Sequence, residues 1–155
     1  MSTTTVLPPV PGRSVLLPEV PDPIFAQGMV GHGAAIDPPH GVIDAVAPVG
    51  GKIVKLYPHA YIIMTAESVG VLVHLGLDTV QLEGQGFDLR VQEGDEVQVG
   101  QVVVTYDVPA VAATGRNPIV PVVVLDKQPE SITLADTVAV GADLAALGEL
   151  FAVSH

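Results

Sequence analysis

The sequence contains no cysteine and no tryptophan, and its six lysines and arginines stand against seventeen aspartates and glutamates. Without cysteine there is neither a disulfide framework nor a thiolate metal site, which suits a reducing compartment. At a formal net charge of −11, no cationic surface can be assembled to displace phosphate counterions, so nucleic acid is excluded as a partner. The acidity either attracts a basic protein partner or serves only to keep a small protein soluble. No apolar run reaches the length of a membrane span without glycine, proline or polar interruption. The N-terminal MSTTTVLPPVPG has no basic region, no signal-peptide core and no amphipathic basic helix. The expectation is a soluble, cytoplasmic protein with no direct membrane insertion, a flexible N-terminal tail over residues 1–12 and a single domain over residues 13–155.

Long segments of helical periodicity are also missing. What is present is 48% hydrophobic residues, with sixteen glycines and fourteen prolines among 155 residues. That composition, rich in valine, favours many short strands joined by turns, in a chain long enough for one domain with its own core. An all-β domain follows, closed or sandwiched to remove its edges. The best helix candidate is Val108 to Ala113, where alanines cluster and Pro109 falls in the first turn. Ile119 to Leu125 reads as a continuous apolar strand, with Pro121 placing part of it at an edge or bulge. Thr137 to Val140 reads as a late strand. Ala142 to Phe151 has helix-forming residues and stays open between helix and strand. His32 and His40 lie among glycines and prolines and are expected to be exposed and non-catalytic.

The informative stretch runs from Gly70 to Phe87, GVLVHLGLDTVQLEGQGF. Val71 to Leu75 is a short strand carrying one imidazole, His74, and Gly76 closes it. A lone histidine in such a run is commonly a satisfied core residue. The second histidine, His59, changes the weighing: it stands fifteen residues earlier, across an expected hairpin. If Glu67 and Ser68 form a two-residue turn, Tyr61 lies opposite His74 and His59 is the diagonal neighbour, roughly 7–8 Å away between backbones. A turn one residue longer flips the parity and sends the two to opposite faces. The spacing permits a paired-histidine site without requiring one.

The run VLVHLGLDTVQLEGQGF, preceded by Pro58-His59-Ala60-Tyr61, resembles the signature of the glucose-family enzyme IIA of the bacterial sugar phosphotransferase system. The segments Val20 to Ala26, Met29-Val30-Gly31, Ala47 to Gly51 and Glu93-Gly94-Asp95 recur in that family's order. The resemblance implies an antiparallel β-sandwich with barrel-like closure and very little helix. It further implies that His74 accepts a phosphoryl group through Nε2 from the basic carrier HPr, and that His59 stabilises it through an imidazole N–H. The group then passes to a cysteine on the IIB domain of a sugar permease. Backbone N–H groups from Gly76 to Asp78 are expected to share the phosphoryl contacts, and Asp78 to order its loop or touch a partner. No cofactor and no metal is required. An apolar ring that excludes water during transfer is expected from Phe25, Tyr61, Leu72 and Leu75. The resemblance also raises regulatory binding to other proteins. The chain departs from the pattern at Tyr57-Pro58, where a Thr-Asn pair is usual, and at Glu83, where lysine is usual.

Other functions compete for the same residues. A biotinyl or lipoyl carrier fits the hairpin Gly94-Asp95-x-Val97-x-x-Gly100-Gln101, yet Lys52, Lys55 and Lys127 are the only lysines and none sits in such a hairpin. A zinc hydrolase would draw on His59, His74 and Asp78, but the chain has no His-x-His and no His-Glu-x-x-His. Zinc held by His59 and His74 and completed by a partner is a further expectation. A purely regulatory module on the same fold is compatible with phosphoryl transfer.

Overall fold

The computed structural model describes residues 2–135, 143–144 and 149–155. In chain order the strands are β1 (Thr3–Val6), β2 (Gly12–Leu16), β3 (His32–Asp37), β4 (Val42–Val46), β5 (Gly51–Tyr57), β6 (Ala60–Met64) and β7 (Gly70–His74). They continue as β8 (Phe87–Leu89), β9 (Glu96–Val97), β10 (Val102–Asp107), β11 (Val120–Val124), β12 (Ile132–Leu134), β13 (Asp143–Leu144) and β14 (Phe151–Ser154). Two short α-helices, α1 (Pro23–Ala26) and α2 (Val108–Ala113), complete the regular structure with three single 3-10 turns. Asp107 caps α2, its carboxylate accepting from the Ala110 N–H, and Pro109 lies in the first turn as the sequence predicts.

The strands form an eight-stranded sheet ordered β13-β2-β3-β11-β7-β6-β5-β9 and two three-stranded sheets, β1-β14-β12 and β4-β10-β8. Every described pairing is antiparallel. The all-β antiparallel class stands as expected. Closure is not that of a barrel, because the eight-strand order has two ends, β13 and β9. The main core lies between the sheets, where Val71, Val73, Val122 and Val124 meet Ala45, Val104, Tyr106 and Phe151. Period-two alternation then sends the intervening residues Leu72, Val123 and Ala35 to the other face of the large sheet. Leu17, Val20, Phe25 and Leu77 cover that face as a second apolar cluster. Burial on both faces explains the unbroken apolar run of β11.

Three expectations require correction. The first twelve residues are not a free tail: β1 pairs with β14 in the register Thr3↔Ser154 to Val6↔Phe151, and Val6 and Val10 are buried in the core. Pro121 lies within a central strand, paired with Ala35 on one side. On the other side the β11–β7 ladder begins only at Val122, so the missing N–H is tolerated there. His32 is half-buried at the head of β3, with its ring against Gly28, whereas His40 is exposed as expected. The segment Ala142 to Phe151, open between helix and strand, leads into a strand at Phe151–Ser154, while the expected strand Thr137 to Val140 lies outside the described residues. No described helix is long and apolar enough to cross a membrane.

Candidate functional site

The pleat of β7 puts His74 on the same face as Leu72, away from Val71 and Val73, and therefore next to the second apolar cluster. Over that face the chain Pro21-Asp22-Pro23 starts α1. Pro23 is its first residue, and Oδ1 of Asp22 accepts from the Ile24 N–H at 2.9 Å. The single turn lays Phe25 onto the sheet, 7% exposed, with its ring centroid 5.3 Å from that of His74 in an edge-on arrangement.

His59 reaches the same place by a different route. Pairings Tyr57↔Ala60 and Ala60↔His74 leave Pro58 and His59 as the two-residue turn between β5 and β6. The expected turn at Glu67-Ser68 does not form. Residues Thr65 to Val69 make a longer loop, closed by Thr65 N–H to the Val69 carbonyl and by Val69 N–H to Thr65 Oγ1, with Ser68 at φ 64°. The parity is therefore the one expected to separate the histidines. They meet nevertheless, because His59 is a turn residue that the pleat does not orient. Their ring centroids lie 5.2 Å apart at 70°. Beyond His59 the Tyr57 ring follows at 5.8 Å and 30°, so Phe25, His74, His59 and Tyr57 form a row of four rings.

The two imidazoles are held differently. Nδ1 of His74 lies 2.6 Å from the Gly76 carbonyl oxygen. A carbonyl only accepts, so Nδ1 carries the proton and Nε2 keeps its lone pair. Gly76 in turn is fixed by its N–H to the Ile119 carbonyl, by a φ of 85°, and by the buried Thr79, whose hydroxyl donates to the Leu75 carbonyl at 2.8 Å. Among the described residues the His59 ring has these ring neighbours and no protein hydrogen bond. Burial lowers the His74 pKa below 6.5, against the opposing pulls of the Gly76 carbonyl and the Asp22 and Asp78 carboxylates. Burial, then the charge of His74, lowers that of His59. Burial thus favours the neutral form of both rings, and Nε2 of His74 is left with its lone pair.

Of the residues expected around the histidines, Phe25 and the half-buried Leu72 are there. Tyr61 and Leu75 are not at the surface. Both are 0% exposed in the main core, with the Tyr61 hydroxyl donating to the Val46 carbonyl, because Tyr61 pairs with Val73 on the core-facing side of the sheet. Exposed apolar side chains flanking the site in the chain are instead Ile24, Tyr57 and Val80. The N–H groups of Gly76 and Leu77 bond to the Ile119 and Asn117 carbonyls, so neither is free for a phosphoryl oxygen. Asp78 is exposed in the left-handed region, and its backbone carbonyl accepts from Arg116 Nε at 3.2 Å. Glu83, at φ 53°, ends the 3-10 turn Thr79–Leu82. Among the described residues no three or more histidines, aspartates or glutamates gather to hold a metal ion, so the hydrolase reading lacks a third ligand. Sequence reasoning missed Asp22, Thr79 and Arg116. Asp22 before Pro23 carries a helix-start signal; Thr79 and Arg116 act through backbone carbonyls that no spacing reveals.

Comparison with known proteins bears on this arrangement. Residues 4–129 match the family model described as phosphoenolpyruvate-dependent sugar phosphotransferase system, EIIA 1. The chain is 38% identical over 122 residues to the glucose-specific EIIA component of Oceanobacillus iheyensis, covering 77% of this chain and 73% of that one. It is 45% identical over 118 residues to that of Halalkalibacterium halodurans, covering 75% and 67%. A match at 46% over 108 residues falls within the glucose-specific EIICBA component of Streptococcus pneumoniae, covering 68% of this chain and 15% of that longer protein. The solved glucose permease IIA from Mycoplasma capricolum superposes with a TM-score of 0.89 at 31% identity, covering 99% of this chain and 97% of that one. A family match across most of the length, on a fold that brings two neutral imidazoles together, leads to one conclusion: the chain belongs to the EIIA 1 family of the phosphoenolpyruvate-dependent sugar phosphotransferase system.

Proposed function

We propose that this EIIA domain is a phosphoryl carrier in which His74 is the acceptor and His59 its stabilising neighbour. The observation that carries the proposal is the Nδ1 hydrogen bond of His74 to the Gly76 carbonyl, which leaves Nε2 unprotonated beside a second imidazole. In the loading step the Nε2 lone pair attacks the phosphorus of a phosphohistidine on HPr. The Nε2–P bond forms as the donor N–P bond breaks, and that electron pair stays on the donor imidazole. The positive charge that develops on the His74 ring is countered by the Gly76 carbonyl and by Asp22 and Asp78, the groups that favour its charged form. His59 donates an N–H to a phosphoryl oxygen, a contact that strengthens as charge accumulates there. In the unloading step a cysteine thiolate of a IIB domain attacks phosphorus and the electron pair returns to Nε2. The EIICBA architecture named for the pneumococcal relative supports a IIB partner. No metal is needed for either step, and zinc completed by a partner at His59 and His74 is a separate possibility on the same two nitrogens.

The test is labelling by radioactive phospho-HPr followed by a chase with a IIB domain. His74→Ala takes up no label. His59→Gln takes up label, because the acceptor remains, and passes it on about 10²–10³-fold more slowly if an amide cannot replace the imidazole. Label on His74→Ala and none on His59→Gln would mean that the roles are reversed. Normal labelling of both would remove the site altogether.

A further inference from the structure

Tyr57 stands at the end of β5, half exposed, with its ring tilted 30° to that of His59 and the two centroids 5.8 Å apart. The backbone there is pinned on both sides: Tyr57 pairs with Ala60, and Pro58 packs beside Gly84. His59 is therefore fixed at its Cα but has no protein hydrogen bond, among the described residues, to fix its ring. Its ring neighbours among the described residues are His74 on one side and Tyr57 on the other. The remaining charged groups of the site are Asp22 and Asp78, which act on His74, Arg116, whose Nε donates to the Asp78 carbonyl, and Glu83, which precedes Gly84 in the chain. The one charged group whose effect on His59 is resolved is His74.

Phosphorylation reverses that relation. Once a dianionic phosphoryl group is on His74, its charge favours the protonated form of His59, which takes a proton from solvent. An imidazolium at this distance from a phenol ring gains a cation–π attraction that the neutral ring lacks. We propose that Tyr57 is a positioning residue that holds the His59 imidazole over His74 and selectively favours its charged form in the phosphorylated state. The inference rests on the carrier reading above. It assigns a role to the side chain that replaces a small hydroxyl residue in the family pattern, and the role belongs to the aromatic face, not to the phenol oxygen.

The experiment follows both imidazoles by NMR titration in the complete chain, before and after phosphorylation with phosphoenolpyruvate, enzyme I and HPr. Phosphate content is measured by intact mass. The unaltered protein is compared with Tyr57→Phe and Tyr57→Leu. In the unaltered protein and in Tyr57→Phe, phosphorylation raises the His59 pKa by the same amount. In Tyr57→Leu the rise is smaller by about half a pKa unit, the size of an exposed cation–π contact, and transfer to IIB slows with unchanged KM for phospho-HPr. Equal His59 titration in all three phosphorylated proteins overturns the role of Tyr57 and leaves the carrier reading intact. A loss in Tyr57→Phe equal to that in Tyr57→Leu overturns it too, by assigning the effect to the hydroxyl. Failure of the unaltered protein to take up phosphate overturns both readings together.

Discussion

Gly76 joins the fold to the chemistry, and replacing it by alanine separates two physical costs. At φ 85° the backbone is in the left-handed region, where a Cβ costs about 1–2 kcal/mol. The added methyl would also lie 2.6 Å from Thr79 Cγ2 and 3.2 Å from both the Asn117 carbonyl oxygen and the Tyr106 hydroxyl. The nearest of these belongs to a buried side chain that is itself hydrogen-bonded, so relief requires movement of the loop. Overpacking of that kind costs about 1–3 kcal/mol, giving a total of about 2–5 kcal/mol. Gly94 provides the control: its φ is 95° and nothing lies within 4 Å of the point a Cβ would occupy. Gly94→Ala therefore carries the conformational cost alone.

Urea unfolding reads the difference. With a slope of about 2 kcal/mol per M, the midpoint falls by about 0.5–1 M for Gly94→Ala and by about 1–2.5 M for Gly76→Ala. A domain of ordinary stability, about 5–15 kcal/mol, stays folded under the first and commonly under the second. The folded fraction of Gly76→Ala then accepts phosphate more slowly, because displacing the Gly76 carbonyl frees Nδ1 of His74, whereas Gly94→Ala labels at the normal rate. Equal midpoints for the two variants would refute the crowding around Gly76. Normal labelling of Gly76→Ala at full folding would refute the carbonyl as the anchor of His74.

Thr79→Val keeps the shape but removes the hydroxyl that donates to the Leu75 carbonyl; thermal unfolding should show a loss of about 1–3 kcal/mol, and the His74 ring resonances should broaden. An unchanged Tm would show that the hydroxyl contributes nothing. Both site histidines have folded-state pKa values below the ordinary 6.5. Below that pH the unfolded chain therefore binds protons that the folded chain does not, and stability falls as pH drops through 6.5 toward the folded values. Chemical denaturation from pH 7.5 to 5 checks this: the loss should shrink in His74→Ala, and an identical pH profile in that variant would exclude His74 as a source. Well above pH 6.5, where the unfolded imidazoles are neutral too, the same two groups contribute no pH dependence.

The helix Val108–Ala113 was legible because its signals are local: clustered alanines and a proline in the first turn, to which the structure adds the Asp107 cap. The N-terminal strand was not, because its partner is at the opposite end of the chain and Thr3↔Ser154 leaves no trace in neighbouring residues. The histidine pair was legible as a spacing and a resemblance, while its geometry depended on a turn. With Glu67-Ser68 as the turn, Tyr61 would face His74; the loop that forms puts Ala60 there and Tyr61 opposite Val73. One residue of register thus moves Tyr61 from the expected docking surface into the core, where its hydroxyl finds the Val46 carbonyl. Leu75 and Val73 share the core side by the same alternation, which is why an apolar ring drawn from residues near His74 in sequence included one that the strand turns away.

The division of the pair between a strand and a turn has a mechanical consequence. If His74 is the acceptor, as proposed above, in-line transfer penalises small errors in the position of its attacking atom. His74 meets that demand through a sheet, a 2.6 Å bond at Nδ1 and the Phe25 ring packed against it. The phosphoryl oxygens, by contrast, move as the group arrives from one protein and leaves for another, so the group that contacts them must follow. His59 sits in a two-residue turn; its backbone carbonyl accepts from the Leu75 N–H at 2.7 Å, while its ring has aromatic neighbours and no protein hydrogen bond among the described residues. On the proposed role the ring, held by contacts with Tyr57 and His74 and not by a hydrogen bond, adjusts by small torsions while Nε2 of His74 stays fixed. A histidine placed within β6 would share the rigidity of β7 and lose that adjustment. On the proposed carrier role the turn thus does more than bring two residues together: it leaves the two imidazoles held by different contacts, one hydrogen-bonded at Nδ1 and the other packed between rings.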